Sequence, residues 1–202
     1  VPSGASYPLS IRDTYRKIYP EFFEKLKIKP IKEYPSMLKE SMDYVNCGGI
    51  NVVLTPGRYN SAYYEHAYLA KKMGAHLVRN NELIVKNKVV YFKNYDGRDI
   101  RVVAIYRRLD DEFLDPKFFN EESLIGVPGI MEAYLSGNVA LMNAPGNGVA
   151  DDKGIYYFVP KMIKYYLGEE PILKNAPTYL PYFEDDKKYV FENIHKLVIK
   201  DV

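Results

Sequence analysis

The chain has 202 residues, of which 28 are Lys or Arg and 26 are Asp or Glu, for a formal charge of +2. That balance gives no electrostatic case for a nucleic-acid or polybasic membrane partner. Thirteen glycines and thirteen prolines exclude a collagen-like or low-complexity chain, while 47% apolar residues supply enough side chains for a real core.

The first fifty residues predict amphipathic helix. Tyr15, Ile18, Tyr19, Phe22, Phe23 and Leu26 recur at helical spacing and draw one apolar face, which Pro20 divides into two pieces. A second helix is predicted from about Tyr34 to Val45, stopped by Asn46-Cys47-Gly48-Gly49. Ile50 to Thr55 reads as a strand buried on both faces and closed by Pro56-Gly57. Asn60-Ser61 reads as the N-cap pair of a helix running to about Met73, with Gly74 as its stop. Ala75 to Val78 is the next short strand, so the order opens as in a doubly wound α/β sheet.

Two strand-like runs, Leu83-Ile84-Val85 and Val89-Val90-Tyr91-Phe92, flank Lys86-Asn87-Lys88 and predict a β-hairpin. Val102 to Tyr106 is a further strand that ends in Arg107-Arg108-Leu109-Asp110-Asp111. Beyond a loop-rich stretch, a helix is predicted around Gly129 to Leu135 and a strand from Val139 to Met142, running into Asn143-Ala144-Pro145-Gly146-Asn147-Gly148. Asp151-Asp152 then caps a helix that contains Pro160. The tail predicts a strand near Thr178 to Leu180, a helix near Asp185 to His195 and a strand from Leu197 to Lys200. The apolar runs are strand-sized, short of the roughly 20 residues of a membrane span.

Three regions follow: a helical segment over 1–49, an α/β domain over 50–150 and a smaller unit over 151–202. The lone Cys47 allows no internal disulfide and has no metal-ligand spacing. Val1-Pro2-Ser3-Gly4 has neither a charged segment nor an apolar one, so no signal peptide is expected, and the default location is cytoplasmic. With no initiator Met and a strand at the very end, both ends are expected to be cut from a longer protein.

Several segments have chemistry to offer, each beside a plainer reading. The Asn143 to Gly148 loop, followed by Lys153 at a helix start, suits a phosphate or carboxylate, or is a structural turn. Arg107-Arg108 at the carboxyl end of a strand suits an anionic ligand, or makes local salt bridges with Asp110-Asp111. Thr55 to Ser61 is a substrate loop or a capped turn, and Ser3-Gly4-Ala5-Ser6-Tyr7 reads alone as a turn. Glu65-His66, His76 and His195 lack paired metal spacing, and the three histidines are expected in packing or surface roles. No G-x-G-x-x-G follows the first strand, which leaves a Rossmann-type dinucleotide enzyme without its fingerprint.

Taken together, Val53 to Gly74 (VLTPGRYNSAYYEHAYLAKKMG), Ile105 to Pro116 (IYRRLDDEFLDP), Gly126 to Leu141 (GVPGIMEAYLSGNVAL) and Asn143 to Leu173 resemble the circularly permuted ATP-grasp proteins of type 2. These are distant relatives of the carboxylate–amine ligase half of glutathionylspermidine synthase. PSGASY near the start and LVIK at the end match as well, so the likeness runs nearly end to end.

The resemblance implies a Rossmann-like pre-ATP-grasp parallel sheet with an inserted hairpin, followed by the truncated start of an ATP-grasp subdomain. It implies an ATP-dependent carboxylate–amine ligase that works through an acyl phosphate with Mg²⁺, on small-molecule or peptide carboxylates and amines. By the same likeness Lys153 and Lys200 look like the two ATP lysines, and Arg107 and Arg108 like catalytic cations beside the activated carboxylate. Ser3, Gly4 and Ser6 look like a substrate loop, with Asn60, Ser61, Asn143 and Asn147 as further substrate-side residues. The family's acidic metal ligands would precede Val1 and its glycine-rich flap would follow Val202, so no metal ligand is assigned and the chain is expected to be inactive alone. The other reading is a non-catalytic ATP-grasp-like binding or assembly module.

Overall fold

A computed structural model describes residues 4–45 and 48–200. Ser3 and the expected helix stop at Asn46-Cys47 lie outside the described residues. The chain divides into two compact units, 1–145 and 146–202.

The first unit opens with helices α1 (Ser6–Ile18), α2 (Pro20–Lys25) and α3 (Tyr34–Tyr44). Pro20 occupies the first position of α2, where its missing N–H costs no helical bond and its fixed φ starts a new helix. The predicted apolar face is present, but it is turned outward: Tyr15, Ile18, Tyr19, Phe22 and Leu26 are all exposed. Several of them, with Pro8, Ile11, Phe23 and Ile31, line an open hollow of about 650 Å³.

The sheet follows: β1 (Ile50–Leu54), helix α4 (Tyr63–Met73), β2 (His76–Val78), β3 (Leu83–Lys86), β4 (Val89–Lys93) and β5 (Asp99–Arg107). A short helix α5 (Asp111–Leu114), helix α6 (Ile130–Leu135) and strand β6 (Ala140–Met142) complete the unit. The strand order is β2-β1-β5-β4-β3. β1 runs parallel to β2 and to β5, and β6 runs parallel to β5 over Ala104 to Tyr106. On that same edge β4 pairs antiparallel with β5 over Asp99 to Val102, and β3 pairs antiparallel with β4. Asn87 and Lys88 link β3 to β4 with positive φ, the geometry a two-residue turn between twisted strands requires. The result is a mixed α/β unit with a mostly parallel sheet.

β1 shows why its sequence is continuously apolar. Val52 and Leu54 face one core with Val78, Val90, Ile105, Leu114, Ile130 and Leu141. Val53 faces the other, with Met42, Leu69, Met73, Ala104 and Tyr106. A strand covered on both faces has no solvent side on which polar residues could alternate. Helices α3 and α4 cover one face, and α5, α6 and their connecting loop contribute to the other.

That connecting loop is held by one buried carboxylate. Asp115 Oδ1 accepts the Gly129 and Lys117 N–H groups, and Oδ2 accepts the Met131 N–H, satisfying orphan donors at the start of α6. Gly126 is required there by space: a Cβ would stand 2.3 Å from the Phe113 carbonyl oxygen.

The second unit contains a 3₁₀ turn (Asn147–Asp151), helix α7 (Lys153–Leu167), helix α8 (Glu184–Asn193) and a 3₁₀ turn (Ile194–Lys196). Asp152 caps α7, accepting the Gly154 N–H at 2.6 Å, and Pro160 is accommodated inside the helix. Two expectations are corrected here. Neither Thr178 to Leu180 nor Leu197 to Lys200 is a strand; both are irregular chain. A strand needs a neighbour to take its backbone bonds, and the described residues of this unit contain none. Among the described residues no helix is long and apolar enough to cross a membrane.

Candidate functional site

The parallel strands β1 and β5 end side by side, with Leu54 opposite Arg107. The carboxyl ends of parallel strands are where open α/β sheets receive ligands, because the loops there converge. Three segments of the first unit meet the description: the loop after β1, Arg107 to Asp110 after β5, and Asn143-Ala144 after β6; the turn at Gly4 to Ser6 reaches α4 through a hydrogen bond to Glu65.

Arg107 is 9% exposed, and its guanidinium is spent on the protein's own oxygens. Nε donates to the Asn143 carbonyl at 2.7 Å, Nη1 to the Leu109 carbonyl at 2.7 Å and Nη2 to the Ala144 carbonyl at 3.2 Å. Nη2 also meets Asp111 Oδ1 at 2.5 Å. The planar five-donor fork thus ties the end of β5 to the backbone after β6. Arg107 and Asn143 are brought together in this way, through the asparagine's main chain.

Arg108 turns the other way. Its N–H joins the Leu54 carbonyl at 2.9 Å, and its Nη2 donates to Glu65 Oε1 at 2.7 Å. Glu65 is fully buried, on the first turn of α4. Its other oxygen, Oε2, accepts both the N–H and the hydroxyl of Ser6 at 3.2 Å each. Ser6 and Arg108 therefore meet on a single carboxylate. Gly4, with φ at +85°, forms the turn just before, where the Tyr7 N–H returns to the Gly4 carbonyl.

His66, next to Glu65, is also buried. Its Nδ1 lies 2.8 Å from Thr55 Oγ1, which in turn accepts the Gly57 N–H at 3.2 Å and so shapes the loop after β1. Burial, reinforced by the charge of Arg108, pulls the imidazole down to about 4, so the ring is neutral at ordinary pH. Burial likewise pushes the Tyr106 phenol up to about 12, against the opposing pull of Arg108, and raises Tyr34. The interior between α4 and the sheet therefore has the ion pair of Glu65 with Arg108 among neutral rings.

Asn60 and Ser61 lie exposed at the start of α4. The Asn60 side chain accepts the Ala62 N–H at 2.9 Å, an Asx turn. The helix itself starts at Tyr63, two residues later than the expected cap pair.

The remaining candidates belong to the second unit. Asn147 opens the 3₁₀ turn before α7 and is exposed. Lys153 starts α7, exposed, with Nζ donating to the Asp151 carbonyl at 2.6 Å. Lys200 lies exposed in irregular chain after Leu197. An ammonium at a helix N-terminus is chemistry that suits a phosphate. For Mg²⁺ the donor set does not fit, since among the described residues no group of three or more His, Cys, Asp and Glu side chains could hold a metal ion.

Glu65 is the residue that reading the sequence for motifs misses, while His66 is buried in a packing role of the kind the sequence predicts. A signal was present. Glu65 lies four residues before Leu69 and eight before Met73, on the stripe of α4 that the sheet buries. A carboxylate on a buried stripe must find partners, and two segments distant in sequence provide them.

The whole chain, residues 1–202, matches a family model described as a circularly permuted ATP-grasp. It is 48% identical over 99% of its length to the uncharacterized protein sll0335 of Synechocystis sp., spanning 42% of that protein. It is 42% identical over all of its length to the uncharacterized protein Rv2411c of Mycobacterium tuberculosis, spanning 37% of it. A "Putative glutamate--cysteine ligase 2-3" of Frankia alni is 36% identical over the same length, with 24% of it covered. The chain thus spans less than half of the curated relatives it matches, and what the match carries is the family, without its subtype. On that end-to-end match, this chain belongs to the circularly permuted ATP-grasp family.

Proposed function

We propose that this chain is the substrate-side α/β part and the first ATP-side elements of an ATP-dependent carboxylate–amine ligase. The observation that carries this reading is the meeting of Ser6 and Arg108 on Glu65 at the carboxyl end of β1 and β5, in a chain of the ATP-grasp family. In this reading the sheet is a Rossmann-like pre-ATP-grasp domain, the β3–β4 hairpin is its insertion, and residues 151–202 begin the nucleotide-binding subdomain of a cytoplasmic enzyme.

The chemistry is acyl activation. A carboxylate oxygen attacks the γ-phosphorus of ATP and ADP leaves, giving an acyl phosphate. The amine then attacks the acyl carbon, inorganic phosphate leaves with the electrons of the broken C–O bond, and the amine proton passes to solvent. Such transfers ask the protein for position and charge complementarity. Lys153 and Lys200 meet the phosphates. Arg108, with Ser3, Gly4, Ser6, Asn60 and Ser61, receives the anionic end of the carboxylate substrate. Arg107 serves that side by fixing the backbone at Asn143, and Asn147 is a further substrate-side residue. Mg²⁺ belongs to this chemistry, but the described residues give it no ligand set, so no step is assigned to it.

The test uses the intact protein with Mg-ATP, measuring heat of binding, ADP release and amide product. Glutamate and cysteine are the first pair to try, because two relatives have glutamate–cysteine ligase in their names. Binding with ADP release that depends on both substrates supports the ligase. Binding without turnover favours a non-catalytic ATP-grasp-like module, and no binding removes the nucleotide reading altogether. Lys153→Gln is expected to weaken Mg-ATP by about tenfold, the loss of one charge-assisted contact.

A further inference from the structure

The first unit has a fully buried carboxylate, Glu65, whose partners come from far before and far after it in the sequence. Glu65 takes two hydrogen bonds from Ser6, 59 residues before it, and one from Arg108, 43 residues after it. An ionised carboxylate accepts only, and burying one without donors is strongly unfavourable. Each donor is therefore drawn to this point, and losing one leaves charge or polarity uncompensated in the interior.

Neither partner is fixed in this place by its local structure alone. Ser6 belongs to the first turn of α1, whose starting residue, Ala5, offers no side-chain cap. Arg108 has left the sheet: its N–H still reaches Leu54, but its side chain has passed the last paired residue of β5. The neighbouring His66 performs the parallel service for the loop after β1, through Thr55 and the Gly57 N–H. Two consecutive side chains of α4 thus set three separate segments at the carboxyl end of β1 and β5.

We propose that Glu65 is the positioning residue of this site, holding the Gly4 to Ser6 turn and Arg108 in one constellation that receives the anionic group of the carboxylate substrate. This rests on the ligase reading given above. Glu65 does not touch the reacting atoms; it acts through Ser6 and Arg108. Its negative charge matters as well as its shape, because it keeps the Arg108 guanidinium in a defined direction.

The experiment compares Glu65→Gln, Glu65→Asp and Ser6→Ala in the intact protein. Two quantities are read: amide hydrogen exchange over residues 4–10, and the KM for the carboxylate substrate against that for ATP. Glu65→Gln is expected to speed exchange at the Ser6 amide and to raise the carboxylate KM, each by about tenfold, with the ATP KM within about twofold. Glu65→Asp is expected to recover part of both, and Ser6→Ala, which leaves the ion pair intact, to show the smaller change in the same direction.

A merely structural role predicts a different pattern: a lower melting temperature, with both KM values moving together or neither moving. That pattern overturns the proposal, as does unchanged exchange at Ser6 in both Glu65→Gln and Ser6→Ala. If the unaltered protein shows no ligase turnover, the ligase reading fails on its own account. The exchange measurement then still decides whether Glu65 sets this segment.

Discussion

The two units of this chain spend their apolar residues in opposite ways. The first buries them on both faces of a sheet, with Val52, Val53, Leu54, Val102, Ala104 and Ile105 all but inaccessible. In the second, from Gly146 on, none of the described residues is buried, and Tyr165, Tyr166, Ile172, Leu173, Tyr182, Val198 and Ile199 are largely exposed. Composition does not explain the difference, since α7 is as rich in apolar side chains as α4. Architecture does: a sheet offers two faces to cover, whereas two helices joined by a proline-rich strap enclose little.

The sharpest way to break that comparison is at the buried ion pair. Glu65→Leu leaves the Arg108 guanidinium buried without its carboxylate, an expected cost of about 3–5 kcal/mol in urea unfolding. Replacing both partners, Glu65→Leu with Arg108→Met, should recover most of that loss, because an apolar pair of similar volume avoids the desolvation of both charges. If the double variant is as unstable as the single one, Ser6 and the α1 segment, not the charge, carry the energy. Asp115→Ala comes next. It strands the Lys117, Gly129 and Met131 N–H groups, of which the last two are buried, at an expected cost of about 2–4 kcal/mol. Asp115→Asn, which keeps a single acceptor oxygen, should lose roughly half as much.

How much of this was legible in the sequence follows the same divide. In the first unit local pattern and global packing agree. Ile50 to Leu54 is apolar throughout because it is covered on both faces, Gly74 ends α4 in the left-handed region, and Asn87 sits in the turn before β4. Even there, the apolar face from Tyr15 to Leu26 was readable while its outward aspect was not, because periodicity records a face and says nothing of what covers it. Leu197 to Lys200 failed for a related reason. Its residues suit a strand, but a strand is a property of pairs, and the described residues of its unit contain no strand to pair with it. In the site, Arg107 and Arg108 were singled out by sequence as adjacent cations. Their division of labour was not, since one turns to carbonyls after β6 and the other to a carboxylate on α4.

His66 gives a smaller effect with a definite sign. Its pKa is near 4 in the folded protein against 6.5 for an ordinary histidine. Above 6.5 neither state binds the proton and the residue contributes nothing to pH dependence. Between 6.5 and about 4 the unfolded chain is protonated and the folded one is not, so stability falls as pH falls, by about 3 kcal/mol in all. His66→Gln, which retains an amide to meet Thr55, should lower stability modestly at neutral pH and remove that part of the acid slope. An unchanged slope would place the acid sensitivity elsewhere, with the carboxylates.

The smallest expected effect tests the second unit directly. Ile199→Ala deletes most of an exposed side chain, and surface changes of that kind stay within about 0.5 kcal/mol. The same truncation at Ile105, fully buried between β1 and β6, is expected to cost about 2–5 kcal/mol through lost burial and the cavity left behind. The ratio between these two isoleucines measures the contrast between the units in one quantity. If Ile199→Ala in the intact protein costs as much as Ile105→Ala, the Leu197 to Ile199 segment is packed there as its sequence suggests, and the exposure of the second unit is a property of this length of chain and not of the protein.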